Sequence, residues 1–325
     1  MAVTPAVGKP GIPMAVTPAV DIVALGEAMV EFNQTREAGG RTYLQGFGGD
    51  TSNALIAAVR QGARGAYVTR LGDDEFGRMC LDLWQSEGVE TGGVGIDPAA
   101  PTGIYFVRHG KDGHTFSYLR AGSAASRMQP ADVPETLLRQ ARYLHVSGIS
   151  QAISASATDT VFHAIRVARA AGVRVAYDPN LRPKLWPLDR ASAVIMATIP
   201  LADYFLPSLD DVRLLAGLED PPAILDWCHR AGAQSVILKL GRDGAWVSTA
   251  GARTRIAAFP VEAIDATGAG DCFDGSLLAR LAAGDDTVTA ARYASAAAAL
   301  TTTGYGAVAP LPTAQQVRRM LGGSS

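Results

Sequence analysis

Short apolar runs separated by helical segments recur along most of this chain, and that alternation constrains its fold more than any other feature. Asp21–Gly26 (DIVALG), Gly65–Leu71, Tyr143–Val146, Val173–Tyr177, Tyr204–Leu206 and Ser235–Leu240 read as strands. Asp50–Gly62, Asp74–Gly88 and Ser156–Ala171 carry apolar residues at helical spacing. In Asp74–Gly88 acids open the first turn and a glycine ends the last, the ordinary start and stop of a helix. Strands alternating with helices of this length predict an α/β fold: a doubly wound, mostly parallel sheet with helices on both faces.

Two stretches break the rhythm. Met29–Phe47 and Thr102–Arg120 hold short segments of alternating polarity (MVEFN, RTYLQ, TGIYFVRH, HTFSYLR) joined by glycine-rich turns. Period-two patterning fits half-exposed antiparallel strands. Both stretches leave the α/β core and return to it, so a small protruding sheet is expected; two unrelated surface hairpins would give the same pattern. The first 20 residues read differently again. MAVTPAV occurs at Met1–Val7 and again at Met14–Val20, which reads as a flexible tail, with 1–13 an appended or duplicated leader and Met14 the natural start.

Charge and composition then exclude whole classes of function. With 29 Lys+Arg against 31 Asp+Glu the net charge is −2, which lacks the basic excess of a general nucleic-acid binder. The longest nearly apolar stretch, near Ala193–Ala202, contains Pro200 and falls far short of the ~20 residues that span a bilayer. Three cysteines with no CxxC pairing suggest a reducing, cytoplasmic setting and no zinc site. Neither G-x-x-x-x-G-K-[ST] nor G-x-S-x-G occurs, and Gly46-Phe47-Gly48 is followed by Thr51 where a dinucleotide fingerprint needs glycine.

The strongest chemical signal is Ile264–Ala279, IDATGAGDCFDGSLLA. Gly268, Ala269 and Gly270 introduce a helix whose first turn holds Asp271. Small residues there leave backbone N–H groups uncovered, and the helix dipole adds positive potential, so the turn suits an anion. A carboxylate beside it can take the proton of an attacking hydroxyl. An ordinary helix N-terminus also favours Gly and Asp, but Asp265 and Thr267 lengthen the string beyond that. Elsewhere, Gly49, Asp50 and Asn53 open a helix and can face a polyol, or merely cap it. Asp178-Pro179-Asn180-Leu181-Arg182 follows a strand at the carboxyl edge, where open α/β sheets bind ligands, and an arginine there suits a carboxylate or phosphate. Tyr118 and Arg120 share one face of a predicted strand. Lys239–Gly244 (KLGRDG) joins two predicted strands, either as a nucleotide-facing turn or as a plain hairpin.

From about Asp21 to the C-terminal helix, these pieces in this order resemble the ribokinase-like carbohydrate kinase family, through GFGGDTSNAL and DATGAGDCFDG. The resemblance implies one α/β domain over 21–325 with a β lid built from about 28–47 and 101–121. It implies Asp271 as general base toward a sugar hydroxyl, with Gly268, Ala269 and Gly270 as the anion hole. ATP and Mg²⁺ are the implied cofactors; Lys239, Gly241, Gly244, Thr267 and the helix near Ala296–Leu300 would flank the nucleotide. K⁺ activation is a family trait in which Asp265 would take part. YLRAGSAAS (Tyr118–Ser126) and DPNLRPKLW (Asp178–Trp186) look most like 2-keto-3-deoxygluconate kinases, where Tyr105, Tyr118, Arg120 and Arg182 would meet an acidic sugar. Fructokinases share much of this vocabulary. One departure stands out: where the family often has Asn-x-x-Glu, this chain has Ser208-x-x-Asp211, leaving Asp211 to act on Mg²⁺ through water. The implied partners are a small sugar acid and ATP, with neither nucleic acid nor membrane, and self-association through the lid edge.

Overall fold

The computed structural model describes residues 20–35, 41–110, 113–249 and 251–322. The repeated MAVTPAV and the expected tail lie outside them, except for Val20, which is buried in one cluster with Val23 and Leu25.

The strands in chain order are β1 (Ile22–Leu25), β2 (Met29–Gln34), β3 (Tyr43–Gly48), β4 (Gly65–Gly72), β5 (Glu90–Asp97), β6 (Gly103–Gly110), β7 (Gly113–Leu119), β8 (Tyr143–Ser147), β9 (Arg174–Asp178), β10 (Tyr204–Phe205), β11 (Ser235–Lys239), β12 (Ala245–Thr249) and β13 (Ala252–Ile256). Nine of them form one sheet in the order β13-β12-β11-β10-β9-β8-β1-β4-β5. From β10 to β5 every pairing in it is parallel, as is β10 to β11, and the antiparallel pairings, β11 with β12 and β12 with β13, lie at one edge. Apolar clusters lie on both faces, one including Leu55, Trp84, Leu277 and Ala294, the other Val161, Ile195 and Ile224. That is the doubly wound arrangement the alternation predicts. β1 and β8 are neighbours, while the chain from β1 runs outward through β4 and β5 before returning to β8. Strand order therefore reverses between β1 and β8, and the carboxyl ends there form the crevice where such sheets take ligands.

The two rhythm-breaking stretches make a second sheet, ordered β3-β2-β6-β7. Its two hairpins are antiparallel, but β2 and β6 pair in parallel, against the expectation of antiparallel strands throughout. Both strands leave carboxyl edges of the same parallel sheet, after β1 and β5, so they depart in one direction. Phe32 stacks on Phe106 at 5.2 Å and meets Phe76 of the Glu75–Glu87 helix edge-on at 6.0 Å. These rings anchor one face of the small sheet. The opposite face carries Glu31, Tyr105 and Tyr118 in register.

Two helices meet closely beneath that face. Gly275, in the Ala269–Ala283 helix, stands where a Cβ would lie 1.8 Å from the Ala54 carbonyl oxygen of the Asp50–Arg60 helix. Only glycine permits that approach. It brings the first turns of both helices, and hence Asn53 and Asp271, side by side.

Candidate active site

Asp271 sits in the first turn of the Ala269–Ala283 helix, half-buried, and its Oδ2 accepts a hydrogen bond from Asn53 Nδ2 at 2.9 Å. Burial pushes its carboxyl up to about 7; the charge of Asp50 adds to the rise and the Asn53 amide opposes it. Gly268, the cap, adopts φ +74° and has no side chain to offer the N–H groups of that turn. Ala269 N is taken up by Ala266 O at 3.2 Å, which leaves Gly270 N and Asp271 N at the open helix end as the groups suited to an anion, next to a carboxyl pushed up to about 7. Thr267 donates from N and Oγ to Asp265 Oδ1 at 2.9 and 2.6 Å, while Asp265 Oδ2 accepts from Gly306 N at 3.0 Å. Those bonds clamp the glycine-rich turn to the loop after the Thr287–Thr301 helix.

Asp50 and Asn53 are both buried and bonded within the protein. Asp50 Oδ1 accepts from Thr51 N at 2.9 Å and its Oδ2 from Asn180 Nδ2 at 2.9 Å. Gly49 enters the helix at φ +120°, where a side chain would collide with the Glu27 carbonyl. Asn180 is the one described non-glycine residue at positive φ, +35°, in the loop leading to Arg182. Strain of that kind is held by surrounding structure and concentrates at functional loops.

The face of the small sheet supplies the other wall. Tyr105 and Tyr118 rings lie 5.5 Å apart, and Arg120, one residue past β7, places its guanidinium 5.6 Å from the Tyr118 ring. Arg120 is also ion-paired with buried Glu27, which accepts from Ser123 Oγ at 2.6 Å. Its charge is thus already balanced. Arg182 is exposed; its guanidinium donates to its neighbour's carbonyl, Leu181 O, at 3.1 Å and forms no ion pair among the described residues. Burial lifts the Tyr118 phenol, and the positive charges of Arg120 and Arg182 oppose that lift, so both cations face this ring.

Glu31 is a residue that motif reading passes over. It is 3% exposed, takes the Tyr105 hydroxyl on Oε2 at 2.5 Å, and lines a cleft of about 640 Å³ running between β2–β3 and Tyr305–Ala309. Burial and the Glu31 charge push the Tyr105 phenol far up, so it stays a neutral donor. Gly48 leaves room for that hydroxyl, since a Cβ there would come within 2.3 Å of it.

The other expected contacts lie in a buried ion cluster, a strand connection and a helix cap. Lys239 is 11% exposed and its ammonium lies on Asp178 Oδ2 at 2.9 Å and both oxygens of Asp274 at 3.0 Å. Gly241 and Gly244 form the exposed β11–β12 connection, and β12 shares an apolar cluster with Ala296 and Ala297. Asp211 accepts Leu181 N at 2.8 Å, Ser208 N at 2.8 Å and Ser208 Oγ at 2.6 Å, closing a capping box on the Leu209–Ala216 helix. Three donors on a buried carboxylate leave it poorly suited to hold a metal directly. Among the described residues no group of three or more His, Cys, Asp or Glu side chains is arranged to bind a metal ion, and no helix is long and apolar enough to cross a membrane.

The chain as a whole is similar to known proteins. The family model "pfkB family carbohydrate kinase" matches residues 20–314. The chain is 36% identical over 313 residues to 2-dehydro-3-deoxygluconokinase of Thermoproteus tenax, covering 93% of this chain and 94% of that one. It is 33% identical over 323 residues to fructokinase-2 of Solanum habrochaites, covering 94% and 97%. Fructokinase from Vibrio cholerae O395, solved with fructose, ADP and calcium ion bound, superposes with a TM-score of 0.84 at 29% identity, over 93% of this chain and 99% of that one.

Proposed function

The chain belongs to the pfkB family of carbohydrate kinases, whose members are ATP-dependent, and we propose that it phosphorylates the terminal hydroxyl of 2-keto-3-deoxygluconate. The observation that carries the chemistry is Asp271: a carboxylate titrating near 7, fixed by Asn53, beside an uncapped helix N-terminus. The sugar oxygen attacks the γ-phosphorus of MgATP in line, the bond to the ADP oxygen breaks, and the hydroxyl proton passes to Asp271. Such transfers depend on positioning and charge stabilisation. The Gly268, Ala269 and Gly270 turn receives the developing phosphoryl charge, and a Mg²⁺ bound with the nucleotide would supply further charge neutralisation there. Asp211, already occupied as a cap, would meet that ion only through water. Asp265 serves as the loop clamp, and no step is assigned to K⁺ there. The small sheet covers the reacting centre and excludes water that would hydrolyse ATP.

Arg182 supports the acidic substrate, because it is an exposed cation facing Tyr118 with no carboxylate partner among its hydrogen bonds. A second reading, a neutral-sugar kinase such as a fructokinase, is favoured by the Arg120–Glu27 pair and by buried Glu31, which together remove positive charge from the site. The test of the reaction is coupled ADP release. With the keto acid supplied, Asp271→Asn is expected to lower kcat by about 10²–10⁴-fold, the usual cost of losing a general base, while sugar binding measured by calorimetry persists. Near-normal turnover in that variant would remove Asp271 from the mechanism.

A further inference from the structure

Three charged side chains are buried together below the anion-binding turn: Lys239 from β11, Asp178 from β9 and Asp274 from the Ala269–Ala283 helix, 11%, 7% and 1% exposed at their side chains. We propose that Lys239 is a positioning residue for phosphoryl transfer, tying the Asp178–Arg182 loop to the catalytic helix and holding Asp271 in its working state, and that it is not a nucleotide ligand. This rests on the kinase reading above with Asp271 as base.

Lys239 Nζ bridges Asp178 Oδ2 at 2.9 Å and Asp274 at 3.0 Å. Asp178 Oδ1 accepts from Asn180 N at 3.0 Å, and Asn180 in turn donates to Asp50 at 2.9 Å. One polar chain therefore links Asp274, three residues from Asp271, with the loop that carries Arg182 and with the helix that carries Asn53. Lys239 is itself fixed, its backbone N donating to Pro207 O at 2.8 Å. Its ammonium also lies directly beneath the turn: a Cβ on Gly270 would come within 3.8 Å of Nζ.

A buried ion cluster is a weak source of stability, because desolvation offsets the attraction and apolar residues of similar volume do as well. A cluster of this kind next to a reactive carboxylate is better accounted for by what it does to that carboxylate. Burial opposes the Lys239 charge, yet Asp178 and Asp274 hold it charged well above the usual range. Burial acts to raise Asp178, but Lys239 overrides it and the carboxyl stays ionised. Asp274 is driven up by burial, against the opposing pull of the Lys239 charge. Buried His145 of β8, Asp211 and Asp50 also face the cluster. The groups facing Asp271 are Asp50 and Asn53 from their helix, Asp178 from β9, Lys239 from β11 and Tyr105 from β6. Lys239 is the cation of that set, and it favours the deprotonated base.

The experiment compares the full-length protein with Lys239→Met and with Lys239→Met/Asp178→Asn. The second variant removes the ammonium together with one of its two carboxylate partners, so it leaves less unbalanced buried charge and stands in should the first fail to fold. In Lys239→Met the acidic limb of kcat/KM for the sugar should move to higher pH, and a displacement of about one pH unit would cut the rate at pH 6 roughly tenfold. In the double variant the limb should return toward its original place, while kcat stays reduced because the loop is no longer held. KM for MgATP should change less than about twofold in both, since uniform binding of the nucleotide is untouched. A rise in that KM of about tenfold or more, or an unmoved acidic limb in Lys239→Met, would overturn the proposal. Asp271→Asn run alongside separates the two claims, because retained turnover there contradicts the kinase mechanism itself.

Discussion

Asp271 is legible in the amino-acid sequence because its whole environment is local: Gly268, Ala269 and Gly270 precede it in one turn, and a motif records that directly. Glu31 and Asp274 are not, for physical reasons. Glu31 sits in a strand of alternating polarity, where a carboxylate reads as solvent-facing; its burial comes from Tyr105, a partner distant in sequence. Asp274 looks like an ordinary helical polar residue until β9 and β11 deliver Asp178 and Lys239 to it. Asn53 reads as a polyol contact or a helix-opening residue, and in the structure it is bonded to Asp271. A general base works deprotonated. With Asp271 pushed up to about 7, the pH profile of kcat/KM should therefore rise through neutrality and flatten above it. A profile already flat from about pH 5, where an ordinary aspartate has ionised, would contradict this environment.

At the scale of elements, alternation and caps carry most of the information. The expected Asp74–Gly88 helix is observed as Glu75–Glu87, with Asp74 accepting from Gly77 N and Gly88 at φ +75°. β5 is different: Gly92, Gly93 and Gly95 erase its strand pattern, and it exists because β4 offers it a parallel edge. Helix-to-helix distance is equally invisible in a pattern, yet it decides whether Asn53 reaches Asp271. Gly275→Ala tests this. Its methyl would press on the Ala54 carbonyl, so the two helices must part, at a cost of about 1–3 kcal/mol typical of overpacking. Calorimetry should record a lowered Tm, and kcat should fall together with it. Unchanged values of both would mean that the close approach of these helices is not what sets the site.

For the molecule as a whole, the excursions after β1 and β5 matter most, because they pair into one small sheet whose Tyr105 comes within electrostatic range of Asp271. Both excursions share that one sheet, β3-β2-β6-β7, which holds a small buried cluster of its own in Met29, Tyr105 and Val107. The near-neutral net charge of −2 is compatible with anionic substrates, since positive potential is concentrated in Arg182, the glycine turn and the metal that accompanies ATP. That potential is what would select an acidic sugar over a neutral one. The most direct measurement is kcat/KM for 2-keto-3-deoxygluconate and for fructose, in the unmodified protein and in Arg182→Ala. A clear preference for the acid is expected, with a loss of about tenfold or more on that substrate alone when Arg182 is removed, as for one lost charge-assisted contact. Equal use of both sugars, or an Arg182→Ala loss shared equally between them, would contradict selection of the acid by Arg182.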